Sequence, residues 1–145
     1  MKATRVLPAI VLFALVTVEL GGWSLLGFLV SEEALTPIEE QFFRAGHAHA
    51  GVLLILSLVF FILMGRTDFS ERTSWTLGLG LLVGILLQSG GFFIHFAVGE
   101  EGAASVGTIV TRIGAVVLAA ALVTLGVGLL RARQGAGEPE GPIPS

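Results

Sequence analysis

The sequence predicts an all-α fold: an integral membrane four-helix bundle with both termini cytoplasmic. Three observations predict it. Four long runs are apolar and nearly free of charge. Lysine and arginine collect at one end of those runs, and the three histidines collect at the other. Of 145 residues, 54% are hydrophobic and only 13% charged. A soluble domain keeps roughly 25% of its residues charged. A buried soluble core does not account for the runs themselves. Residues 7–30 hold one charge, Glu19; 48–64 hold only His49; 75–98 only His95; 106–130 only Arg112. Each run is near the ~20 residues that cross ~30 Å of hydrocarbon.

The first helix is placed at about 7–30. Lys2 and Arg5 precede it as in a signal sequence, but the apolar run is too long for one. It also ends in Phe28-Leu29-Val30 rather than at a small-residue cleavage site, so it reads as a retained helix. The second is placed at 37–64. Thr36-Pro37-Ile38-Glu39 supplies a capping box with proline at the first helical position. Glu39, Glu40 and Arg44 then lie on a helical extension at the membrane surface. The third is placed at 75–98, where Gly80, Gly84, Gln88, Gly91 and His95 share one stripe. The fourth is placed at 106–130, with Thr108, Arg112, Ala115, Ala119, Leu122 and Gly126 on one small-residue stripe. Residues 1–133 thus form one four-helix membrane domain. Residues 134–145, rich in Gly, Pro and Glu, are expected to be a disordered cytoplasmic tail.

Orientation follows from the basic residues. Lys2, Arg5, Arg66, Arg72, Arg131 and Arg133 fall at one end of the helices, which the positive-inside rule assigns to the cytoplasm. Glu32, Glu33, Glu39, Glu40, Glu100 and Glu101 fall at the other, with Arg44. The expected location is the cell membrane, multi-pass, with the lipid bilayer as the first partner.

Polar groups then gather in the outer half. His47 and His49 open the second helix, and His95 lies about one turn from the outer end of the third. Arg112 lies under two turns into the fourth, with Gln88 and Glu19 deeper. Ionisable groups are costly at such depths and mark functional sites by default. Glu19 needs a partner, for which Arg112 is the best candidate. On a regular helix, residues two apart point about 200° away from one another, so His47 and His49 serve opposite faces.

The segment Ala45-Gly-His-Ala-His-Ala-Gly-Val-Leu53 resembles the His-x-His helix of the haem-copper oxidase catalytic subunit. That resemblance implies haem ligation by His47 and His49 on opposite faces of one helix, with His95 as an opposing axial ligand. This chain has three histidines and no tyrosine, so a complete oxygen-reducing site is excluded. The chain is also similar to small four-helix membrane proteins of bacteria.

The functional expectation is a membrane protein that binds haem or copper through His47, His49 and His95, with a possible redox role. Imidazoles suit these metals. Glu19, Gln88 and Arg112 would form the surrounding polar set, and Arg44 or Arg112 would pair with haem propionates. Two alternatives stand beside it. One is a small proton-coupled transporter, in which Glu19 carries the proton and a homo-oligomer supplies enough helices. The other is an accessory subunit of a larger membrane complex. The absence of cysteine excludes disulfides and thiol redox chemistry. No basic patch, nucleotide-binding loop, nucleophile elbow or His-Glu-x-x-His helix is present, so nucleic acid is not an expected partner.

Overall fold

Helix starts follow the capping chemistry. In a computed structural model the elements are α1 (Ala3–Val30), α2 (Pro37–Met64), α3 (Glu71–Val98) and α4 (Val106–Gly135). The structure describes residues 2–31, 35–100 and 102–135. Each helix is long and apolar enough to cross a membrane, as expected of a multi-pass membrane protein.

α2 has both its expected ends. The Thr36 backbone N–H donates to Glu39 Oε2 at 2.7 Å, and the Glu39 N–H donates to Thr36 Oγ1 at 3.4 Å. α1 and α3 each begin about one turn earlier than hydropathy alone places them. Ser70 caps α3 by accepting from the Thr73 N–H at 3.2 Å. Glu71 then takes the Ala3 N–H at 2.6 Å. That carboxylate satisfies a free donor at the α1 N-terminus, where the helix dipole favours negative charge. α4 runs on to Gly135. The rest of the expected tail, 136–145, lies outside the described residues, as do Glu32, Glu33 and Glu101.

Consecutive helices pack antiparallel. Phe28 meets Phe43 and Val18 rests on the Gly51 position across α1 and α2. Phe93 covers Gly46, and Phe61 covers Gly78, across α2 and α3. The α3–α4 pair is the closest. Gly84 faces Leu118, Gly114 faces the Gln88 backbone, and Gly91 faces Gly107 and Thr111. Lacking side chains, these glycines let the two backbones approach, as small residues do between membrane helices. The Thr111 hydroxyl adds a bond to the Gln88 carbonyl at 3.3 Å. The α3–α4 turn passes through Gly102 at φ +74°, a left-handed conformation that glycine adopts without strain.

α1 is seated at its beginning. Ala3, Leu7 and Val11 are fully buried, and Leu7 lies over Gly78 of α3. Further along, its contacts run to α2, while Phe13, Val16, Leu20 and Trp23 stay exposed. In cross-section the helices form a lozenge. α2 and α3 lie on its short diagonal, with α1 and α4 at the far corners. Among the described residues α1 and α4 make no contact.

This arrangement corrects one expectation. Glu19 and Arg112 of the same chain form no ion pair, because their helices stand at opposite corners and both side chains are exposed. The small-residue stripe of α4 lies beside the face that packs on α3. Arg112 and Leu122 border clefts between α4 and the α2–α3 pair, Ala115 and Ala119 are exposed, and the packing face is Gly107, Gly114, Leu118, Ala121 and Leu125. The α3 stripe, by contrast, does pack, and α4 fills it from Gly84 to Gly91; only Gly80 is left open.

A histidine-walled chamber at one end of the bundle

The C-terminal ends of α1 and α3 and the N-terminal ends of α2 and α4 form one end of the molecule, and all three histidines are there. The expected 200° divergence between His47 and His49 is realised. The His47 ring lies against Gly21 and Gly22 of α1, where an added Cβ at Gly22 would stand 3.2 Å from it. The His49 ring turns to α3 and stacks on Phe92, with centroids 4.7 Å apart.

His49 has a defined tautomer. Its Nδ1 lies 2.8 Å from the Ala45 carbonyl oxygen, one turn back. A carbonyl only accepts, so Nδ1 carries a hydrogen, and Nε2 is the nitrogen left to meet a ligand. Metal-ligating histidines are held in this way, with the remote nitrogen bonded and the other left free. Ser89 lies one turn from Phe92 on α3, and its buried hydroxyl has no hydrogen-bond partner.

His95 is 6% exposed. Its ring stacks on Phe42 of α2 at 4.0 Å, and its Nδ1 lies 2.7 Å from Ser105 Oγ. Ser105 immediately precedes α4, where a serine commonly caps the helix with its side chain. Here the Thr108 N–H goes to the Ser105 carbonyl instead, which leaves the hydroxyl to His95. The Gly107 position meets the His95 backbone, so the start of α4 fixes the main chain that carries the imidazole.

The rings form a line: His49, Phe92, Phe42, His95. The middle step, Phe92 to Phe42, is 6.3 Å. Two phenyl groups therefore stand between the two imidazoles, and the α2 backbone separates His47 from both. No three of His, Asp or Glu gather to hold a metal among the described residues.

Two cavities meet at His95. The larger, about 500 Å³, lies between α2, α3 and α4 and is lined by Phe42, Phe92, His95, Thr108, Thr111 and Arg112 among others. The smaller, about 210 Å³, includes Thr36, Glu39, Phe42 and His95 in its lining. His95 and Phe42 form the partition. The chamber so defined is mostly apolar with a few polar groups, the usual character of a ligand site.

The remaining candidates disperse. Arg44 is taken by Glu40 in a 2.6 Å ion pair along α2. Gln88 is half-buried against α4 through its backbone. Glu19 is exposed on α1, outside the chamber lining. The sequence reading missed Phe42, Phe92 and Ser105. The aromatic pair reads as ordinary apolar filling, and Ser105 reads as a helix cap. Its Ser-x-x-Thr spacing was the available signal. Comparison with protein-family models, with curated proteins and with solved structures returns no match.

Proposed function

We propose that the chain is a multi-pass protein of the cell membrane that binds a flat amphiphilic cofactor, haem in the first instance, in the larger cavity. The observation that carries this reading is the lining. Phe42, Phe92, Thr108, Thr111, Arg112 and a His95 bonded to Ser105 line one space of about 500 Å³. Phe42 and Phe92 suit a planar apolar face, His95 adds an imidazole whose Nε2 lies toward Gly99 beside the smaller cavity, and Arg112 would answer carboxylates. The dispersed histidines favour this over a bare copper ion held by all three. The basic residues at the opposite end favour an outward-facing chamber. Bound haem would supply electron transfer or gas binding. This chain's part is to hold the ring, exclude lipid and fix the imidazole.

A second reading rests on the partition. His95 faces a cavity with Glu39 on one side and one with Arg112 on the other, which suits proton exchange near the surface. The opposite half supports no continuation of such a path. Its buried residues, including Leu7, Val11, Phe60, Phe61, Met64 and Leu81, are apolar among the described residues, with Ser57 and Ser74 as polar exceptions.

The test is an absorption spectrum of detergent-purified protein from haem-supplemented cells. A Soret band that H95A removes and H47A keeps is the expected result. A band lost in H49A but kept in H95A would move the ligand to His49. Colourless protein throughout overturns the cofactor reading and leaves proton exchange.

A further inference from the structure

Glu19 and Arg112 are unpaired charges on helices that cross a membrane, and each is exposed at a far corner of the lozenge. Such charges are rare in lipid and almost always find a partner. Their depths can be compared through the contacts. Val18, next to Glu19, rests on Gly51 of α2. The α2–α3 register, set by Gly46 on Phe93 and Gly78 on Phe61, brings Gly51 level with Gln88. Gln88 lies against Gly114 of α4. Arg112 is two residues from Gly114, or about 3 Å along the axis. The acid and the base thus sit within one turn of the same depth, on surfaces that cannot meet within one chain.

We propose that the occupant of these surfaces is a second copy of the chain, with α1 of one copy against α4 of the next and Glu19 paired with the neighbour's Arg112. The exposed face of α4 carries Ala115 and Ala119 below Arg112, which lets a helix approach closely. The contact is heterologous, so each copy offers α1 on one side and α4 on the other, and the assembly is a ring where the rotation between copies closes. Arg112 also lines the larger cavity, so the neighbour's carboxylate completes the rim of the chamber. The pairing stands whether or not the cavity holds haem, since neither helix contact requires a ligand.

The chain has no cysteine, so introduced thiols report without ambiguity. Leu12 lies seven residues from Glu19 toward the other end, and Ala119 lies seven from Arg112 in the same direction; both are exposed. L12C and A119C are placed in separately tagged chains and co-expressed, with both charges intact. Oxidation in native membranes is expected to give the mixed L12C–A119C disulfide in excess of either symmetric one. Adding R112E to the A119C chain should lower its yield by about tenfold, the factor set by about 1.4 kcal/mol of pairing. Adding E19R to the L12C chain as well should restore it. Absence of the mixed disulfide, predominance of a symmetric one, or indifference to R112E in helical, folded protein overturns the proposal. So does a monomeric mass for the unmodified chain in lipid nanodiscs.

Discussion

Gly90 and Gly91 are neighbours in sequence with opposite surroundings, and an alanine at each should move stability in opposite directions. A Cβ at Gly91 would stand 2.6 Å from the Gly107 carbonyl oxygen and from the Thr111 nitrogen. These are backbone atoms of α4 and cannot swing aside. To reach an ordinary contact near 3.4 Å, the helices must part locally by 3.4 − 2.6 = 0.8 Å. A gap of that size forfeits roughly a quarter to a half of each dispersion contact along the seam. Overpacking of this kind costs about 1–3 kcal/mol. A Cβ at Gly90 meets nothing within 4 Å. There the gain in helix propensity dominates, about 0.5–1 kcal/mol in favour of alanine. The two variants should therefore differ by about 1.5–4 kcal/mol, with G91A the weaker. SDS-induced unfolding in mixed micelles, followed by circular dichroism, measures the difference. Equal stabilities, or a G90A weaker than G91A, would refute the close α3–α4 approach.

S105A removes the partner of His95 Nδ1 in a buried setting, at about 1–3 kcal/mol. Nitrogen NMR of the imidazole should show the Nδ1 signal shifted in S105A as its hydrogen-bond partner is lost, with S105T partly restoring it; an unchanged spectrum would show that Ser105 does not orient the ring. T36A dismantles the α2 capping box and should cost about 1 kcal/mol. R44A, which opens the exposed pair to Glu40, should cost under about 0.5 kcal/mol. Unfolding midpoints of the two variants rank them, and a larger loss in R44A would contradict the assignment.

Hydropathy made the four helices legible because lipid leaves few alternatives to a helix across the bilayer. α2 was legible to the residue, since Thr36, Pro37 and Glu39 act locally. The opposition of His47 and His49 followed from helix geometry and needed no neighbour. The order of packing was not legible. Amphipathic patterning distinguishes core from water, and in a bilayer both the core and the outside are apolar. The α4 stripe is a case in point: nothing in its residue types tells that Ala115 and Ala119 lie outside the face packed on α3. Glu19 and Arg112 appeared to converge because depth along a helix can be counted, while position around the bundle cannot. The Ser105–His95 bond spans ten residues through an irregular turn, and no periodic pattern encodes it.

The lozenge makes the protein divisible. The lining of both cavities comes from α2, α3, α4 and the turn between the last two, and no lining residue belongs to α1. Only His47, against Gly21 and Gly22, ties the histidines to the first helix. Past Val11, substitutions on the outward flank of α1, Glu19 apart, touch no lining residue of either cavity. The two jobs of such a molecule, holding an occupant and choosing its company, thereby meet at a single side chain, Arg112. Away from it, each can drift or be re-engineered without spoiling the other.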